Sequence, residues 1–291
     1  MNISNNLNSN FEYKLFDENQ QDAEIRNKLA DLYATPFADV LYWELYDPSL
    51  IEGGYHKLFY YEQEVLKHII PFKYSSRSKN KIFVINKEFN ICMENIENIC
   101  RILFYEFAKV QQIIFEKIFV SDPKEAQGII IEKISDDIIL LNLPKTMDDY
   151  MKSLGKSSRK HINLKMNRMS RDFPNLKIHY LEKSDILFEH IQEVVFLNRD
   201  RMKTKGIVSL LNDTECSIIH RYASKSNFGF LCFCEIDDKI IAATINSVIG
   251  ENAYMHVIAH DNLYEKYSAG QIALINATKY LIDEFILLHC I

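Results

Sequence analysis

The sequence predicts an α/β or α+β fold, a sheet domain with helices on its faces. Three observations predict it. Residues 81–120 read as strand, helix, strand. Residues 229–259 hold three strands in a row, separated by short polar turns. From residue 176 onward the order is β, α, α, β, β, β, α, β.

The chain has 291 residues, enough for one large domain or two small ones with a sizeable core. A hydrophobic fraction of 47% and a charged fraction of 25% are ordinary for a soluble globular protein. The net charge of -6 argues against general nucleic-acid binding, though not against a local basic patch. No stretch approaches the roughly 18 to 20 apolar residues of a membrane span. Residues 1–10 are polar and Asn-rich, without the basic start and apolar run of a signal peptide, so the expected location is cytoplasmic. Those ten residues are expected to be disordered. Six cysteines (Cys92, Cys100, Cys216, Cys232, Cys234, Cys290) form no CxxC pair and read as small apolar filler. The histidines lack metal-ligand spacing, so no metal is expected. GxSxG, GxxxxGK[ST] and GxGxxG are all absent, which removes support for hydrolase, kinase and dinucleotide-enzyme readings.

The elements follow in order. Residues 22–72 mix apolar and aromatic side chains, punctuated by Pro36, Pro48 and Pro71, and 59–70 reads as a helix. Residues 73–81 read as a polar, basic loop. A strand at 81–86 precedes a helix at 93–112, whose Ile96, Ile99, Cys100, Leu103, Phe104, Phe107 and Val110 keep helical spacing. With a strand at 113–120 this makes a parallel crossover, expected to be right-handed. Residues 129–134 and 137–143 read as a hairpin turning near Ser135-Asp136. Beyond Pro144, Thr146 is a candidate N-cap, with Asp148 and Asp149 where the helix dipole favours acid. One helical stretch is expected to about residue 173, then a strand at 176–181 and helices at 185–203 and 216–225. The three strands are 229–236, 239–249 and 253–259, with turns at Asp237-Asp238 and Gly250-Glu251-Asn252. A helix at 269–285 and a strand at 286–291 end the chain. The expected division is 1–144 and 145–291.

Chemistry concentrates in residues 253–281. A strand ends at His260-Asp261, a polar turn follows, and Ser268-Ala269-Gly270-Gln271 opens an apolar helix. Free N–H groups at a helix start bind phosphate, and glycine lets a pyrophosphate approach the backbone. Simple capping by Ser268 explains the same residues. A second feature is the run Lys152, Lys156, Arg159, Lys160, Lys165, Arg168 and Arg171, with no acid between them. Ile162, Met166, Met169 and Phe173 form its core-facing stripe. The cations are either a solvated face or a phosphate-binding one. Arg199, in Asn198-Arg199-Asp200-Arg201, could hold a substrate carboxylate or sit in a surface ion-pair network.

The three-stranded run, the polar turn and the Gly-bearing helix start together resemble the GNAT-like acyltransferases. The wording is similar to their CelD-like branch and, more distantly, to the Fem aminoacyltransferases. Asp261, Tyr264, Lys266, Ser268, Ala269 and Gly270 match the branch's "D…Y.k.SpG", with Ala269 in place of the frequent proline. Asp238-Lys239-Ile240-Ile241-Ala242-Ala243 resembles its "dgkpiAa", and the stretch from Leu154 to Lys160 resembles its "Ls.k.R..lrr". The unit at 81–120 resembles a degenerate GNAT-like N-terminal half. Relatives of this kind continue past the strand matching 286–291. The chain ends there, which leaves open a shortened enzyme, a borrowed strand or a lost activity.

The resemblance implies a GNAT-like mixed sheet and acyl transfer from an acyl-CoA or acyl-carrier-protein thioester. The acceptor would be an amine on an amino sugar, amino acid or peptide. It implies donor binding by Ser268, Ala269, Gly270 and Gln271, and substrate or partner contacts by Arg159, Lys160 and Arg199. His260 or Asp261 would be the base and Tyr267 or Tyr264 the acid, while His256 reads as a core histidine. Two alternatives stand beside it: Fem-like transfer from aminoacyl-tRNA, which is the one nucleic-acid partner considered, and a non-catalytic GNAT-like binding module.

Overall fold

The structure, a computed structural model, describes residues 3–8, 11–16, 28–29, 31–38, 40–46, 55–74, 80–123, 141–225, 229–249 and 252–285. The chain divides into two compact units: Met1–Asp137 with Ile249–Asn252, and Ile138–Val248 with Ala253–Ile291. No described helix is long and apolar enough to cross a membrane.

Unit 1 is built on a six-stranded sheet, in the order β1 (Ile3–Asn8), β2 (Phe11–Phe16), β3 (His56–Glu62), β4 (Val65–Tyr74), β5 (Lys81–Val84) and β7 (Gln112–Ile114). The first five pair antiparallel; β5 and β7 are parallel, joined through helix α2 (Met93–Glu106). A short helix, α1 (Val40–Tyr46), precedes β3. Two further segments, β6 (Asn90–Ile91) and β8 (Phe119–Val120), extend the parallel pair beyond an interruption. Glu88 and Lys117 both take positive φ at that break, and the Glu88 N–H donates to the Lys117 carbonyl at 2.6 Å. On one sheet face Leu58, Tyr60, Ile70 and Phe72 meet Ile96, Ile99, Ile102 and Leu103 of α2. On the other, Phe59 and Ile69 meet Leu29, Trp43 and Ile85.

Two expectations fail in unit 1. Residues 59–70 form a hairpin, not a helix. Their apolar spacing fits both periods, and the turn is made by Gln63 and Glu64 at φ 48 and 67, a primed turn written without glycine or asparagine. Residues 3–8 form an edge strand paired with β2 rather than a disordered tail. The expected loop at 73–81 begins and ends inside β4 and β5; residues 75–79 lie outside the described residues. The hairpin expected at 129–143 lies almost wholly outside them too.

Unit 2 carries a four-stranded sheet in the order β12 (Asn252–His260), β11 (Lys239–Ile249), β10 (Gly229–Ile236) and β9 (Lys177–Glu182). Asp237 and Asp238 make the β10–β11 turn, both at positive φ. Five helices accompany it: α3 (Met147–Ser153), α4 (Lys156–Asp172), α5 (Phe188–Thr204), α6 (Asp213–Lys225) and α7 (Ala269–Tyr280). Thr146 caps α3, accepting from the Asp149 N–H at 3.1 Å. The single helix expected over 146–173 is two, broken at Leu154-Gly155, where both residues are extended. Seven of the eight β10 residues are buried, so both sheet faces are covered. Cys232 and Cys234 face α7 with Ala273 and Ile272, while Phe233 faces His190 of α5. Burial pushes the Cys234 thiol up to about 12, the state of inert filler. The expected strand at 286–291 lies outside the described residues.

Candidate functional site

The site forms where β12 ends and α7 begins. The Asp261 N–H donates to the Ile241 carbonyl at 2.8 Å, which closes the sheet at that level. The Asp261 carboxylate then accepts from the Leu263 N–H at 2.8 Å and starts a 3-10 turn, Asn262–Tyr267. Ser268 follows in the left-handed region at φ 57, ψ 45, and its carbonyl accepts from the N–H groups of Gln271 and Ile272. Its side chain makes no cap hydrogen bond. The N–H groups of Ala269 and Gly270 meet no acceptor among the described residues. A helix of twelve residues thus begins with two adjacent unsatisfied donors.

Gly270 is required by its neighbour. A Cβ at this position would lie 2.8 Å from His260 Nδ1, so the first turn of α7 rests directly on the imidazole. His260 is 9% exposed, and its Nδ1 is buried without a partner. Burial pushes the imidazole pKa below its ordinary value. The Arg201 cation adds to this, as does Lys205 further down, and Glu265 and Asp261 oppose it. The ring is therefore neutral at pH 7 and able to accept a proton.

The end of α5 is tied to this junction. Asn262 donates to Asp200 at 2.7 Å and to Thr204 at 3.1 Å. Arg201 Nε, on the same turn, is buried without a partner. Sequence reasoning named this tetrapeptide but chose Arg199. The i, i+4 spacing of Arg201 and Lys205 was the available signal.

The other expected site residues fall in three places. Tyr267 is buried and donates its hydroxyl to Asp172 at 3.0 Å, with Arg168 and Lys266 over its ring. Tyr264 packs on Phe173 and stays partly open; burial first, then Asp261, raises its pKa. Arg159 and Lys160 lie in the first turn of α4, and with Lys156 they meet no acid among the described residues. Elsewhere Lys152 pairs with Asp148 at 2.8 Å and Arg171 with Asp172 at 2.8 Å, while Lys165 donates to the Lys266 carbonyl at 2.6 Å. Arg199 donates to the Leu211 carbonyl and to Asp213 at 2.8 Å, the ion-pair reading, and lines an open cleft of about 520 Å³ with Lys203, residues 206–209 and residues 211–213. His256 is bonded to Ser247 at 2.7 Å, and burial holds it at a pKa of about 4, as a core histidine should be. The structure thus gathers His260, Asp261 and Ser268–Gln271 at one junction, while Arg159 and Lys160 belong to α4 and Arg199 to α5.

No protein-family model matches the chain, and no curated protein matches it. Solved structures do. An aminoglycoside acetyltransferase, meta-AAC0020, from an uncultured soil metagenomic sample aligns over 40% of this chain and 73% of its own, at 20% identity and TM-score 0.30. The C-terminal domain of a putative lysylphosphatidylglycerol synthetase from Agrobacterium fabrum covers 89% and 76%, at 11% identity and TM-score 0.44. FemX covers 91% of this chain and 85% of its own, at 10% identity and TM-score 0.57. On that last likeness the chain has a GNAT-like fold, a mixed α/β sheet flanked by helices.

Proposed function

We propose that the chain is an acyltransferase, moving an acyl group from an acyl-CoA or acyl-carrier-protein thioester to the amine of a small molecule or peptide. The observation that carries this reading is the pair of unmet N–H groups at Ala269 and Gly270, next to a neutral His260. A phosphate group of the donor suits those two donors and the positive end of α7.

In the proposed reaction the amine nitrogen attacks the thioester carbonyl carbon and the C–S bond breaks. The proton lost by the amine goes to His260, whose lone pair is free when the ring is neutral. Asp261 is the weaker base candidate, because one carboxylate oxygen already accepts from Leu263. Tyr264 is the better acid for the leaving thiolate, because the Tyr267 hydroxyl is given to Asp172. Gln271 is exposed in the first turn of α7, at the rim of the donor site. Lys156, Arg159 and Lys160 would meet an acidic carrier surface, and Arg199 an acceptor in its cleft.

A second reading, Fem-like transfer from aminoacyl-tRNA, is favoured by the FemX likeness along 91% of the chain and by the same three cations. Under either reading we place the chain closer to Fem-like proteins than to the CelD-like branch, working in the cytoplasm, with unit 1 a degenerate GNAT-like half.

Calorimetric titration with acetyl-CoA and long-chain acyl-CoA tests the donor site, with Gln271→Glu as the control. The added acid sits where the helix dipole favours it, by about 0.3–1 kcal/mol, so the variant should melt no lower than wild type. Its donor affinity should fall at least tenfold. Equal affinity in the two proteins would remove the phosphate site from the start of α7. Binding of neither ligand would move the donor to a carrier protein or a tRNA, the latter with a steep salt dependence.

A further inference from the structure

The loop between α5 and α6 has its polarity reversed. Val208 and Leu210 are each 88% exposed, and Ile207 is 55% exposed, while the serine between them points inward. Ser209 donates to Asn198 at 2.8 Å and accepts from the Leu211 N–H at 3.2 Å. The Ile207 N–H donates to the Met202 carbonyl at 2.9 Å, and Arg199 holds the Leu211 carbonyl. The loop is therefore pinned at four points, and its aliphatic side chains are held in water by ordered structure. A fourth aliphatic, Leu263, is 80% exposed and follows Asn262, whose amide is fixed to the last turn of α5.

The chain on either side of this tip is rich in cations. Residues 199–213 contain Arg199, Arg201, Lys203 and Lys205 against Asp200 and Asp213, in a chain of net charge -6. Both acids are engaged, Asp213 with Arg199 and Asp200 with Asn262. Lys203 and Lys205 are exposed and pair with no acid among the described residues. Nearby Asp261 and Glu265 belong to the 3-10 turn, where Asp261 caps its start.

We propose that this tip is a membrane-docking surface that rests on an anionic lipid bilayer. Ile207, Val208, Leu210 and Leu263 enter the boundary between headgroups and acyl chains, and Lys203 and Lys205 meet lipid phosphates. Aliphatic side chains in a cationic collar fit an apolar layer beneath a negative one. A second copy fits poorly, because two-fold pairing of the tip would set Lys203 and Lys205 against their own copies. Lys203, Ile207 and Val208 also line the cleft beside Arg199, so vesicle binding is read without substrate, which tests this surface apart from the acyl-transfer reading.

Co-sedimentation with vesicles tests it. Purified protein should bind vesicles of phosphatidylcholine with 30% phosphatidylglycerol at low salt, about tenfold or more above pure phosphatidylcholine, and binding should weaken as salt rises. Val208→Ser with Leu210→Ser should remove that binding and leave the melting temperature unchanged. Lys203→Glu with Lys205→Glu should remove the preference for the anionic lipid. Three results overturn the proposal: no binding to the anionic vesicles, binding that survives loss of both aliphatics, or a dimer in sedimentation velocity that the same double variant breaks apart.

Discussion

Helices α2 and α7 each follow a strand, and they treat their first N–H group differently. In unit 1, α2 begins at Met93 after Cys92, whose side chain gives no cap. Asp122, 29 residues away beyond β8, returns to accept the Met93 N–H at 2.8 Å. In unit 2, α7 begins after Ser268, and nothing among the described residues accepts from Ala269 or Gly270. The histidines near the two starts differ in the same direction. His68 Nε2 meets the Asn95 amide of α2 at 3.1 Å, and its Nδ1 faces the Tyr33 hydroxyl at 3.4 Å. His260 Nδ1 meets only the space a glycine leaves. At the α2 start the Met93 N–H and both ring nitrogens of His68 find partners, while at the α7 start two N–H groups and the His260 Nδ1 find none among the described residues. Buried polar groups left unsatisfied are costly, which supports the donor site proposed at the start of α7.

The largest expected effect comes from filling the unit 2 junction. Gly270→Ala places a methyl group 2.8 Å from the His260 ring and should destabilise the protein by about 1–3 kcal/mol. It should also weaken donor binding by moving the first turn of α7. A thermal melt and a titration on the same sample check both. A wild-type melt would mean that the imidazole swings aside and that tight packing is not what requires glycine.

The next effect is on acid stability, and each unit has its own source. Burial holds His68 and His256 at pKa values of about 4, with Lys67 a lesser cause at His68. An unfolded chain protonates histidine near pH 6.5. Between about pH 6.5 and 4 the unfolded state therefore binds protons that the folded state refuses. Stability is present above that window and is lost as pH falls through it, by up to about 3 kcal/mol per histidine. Trp43 is the single tryptophan and is buried in unit 1, so its fluorescence reports that unit. His68→Gln should flatten the acid limb seen by Trp43, and His256→Gln the limb seen by circular dichroism. An unchanged limb in either variant would move the proton uptake to other groups.

The unit 2 junction was legible because its chemistry is contiguous in sequence. His260, Asp261 and Ser268–Gln271 lie within twelve residues, and turn residues mark each boundary. The Asp237-Asp238 turn could be read for the same reason: aspartate tolerates positive φ and signals a turn. Gln63 and Glu64 make a turn of the same kind without signalling it, so a hairpin was mistaken for a helix. Partners distant in sequence were out of reach. Nothing near Tyr267 announces Asp172, 95 residues away, and nothing in the 3-10 turn announces Asp200. The helix start at Gly270 can be read from the sequence, but its contact with His260 depends on how closely α7 lies on β12, which periodicity does not encode.

Asp122 gives the smallest effect and the sharpest test of the comparison. Asp122→Ala removes the one acceptor given to the Met93 N–H and should cost about 1 kcal/mol, the usual worth of a helix cap. Its consequence for ligands matters more than its size. If the carboxylate occupies what would otherwise be an anion site, removing it exposes in unit 1 an unmet N–H group like those at the start of α7. Inorganic phosphate should then raise the unit 1 melting temperature, read through Trp43, in the variant and not in wild type. Asp122→Asn keeps an acceptor oxygen without the charge, so it should lose less stability and gain less from phosphate. If wild type and Asp122→Ala respond to phosphate alike, the carboxylate is an ordinary cap and the two helix starts do not differ in the way described. If only the variant responds, unit 1 carries its own substitute for the anion, and wild type should bind one donor per chain, at the start of α7.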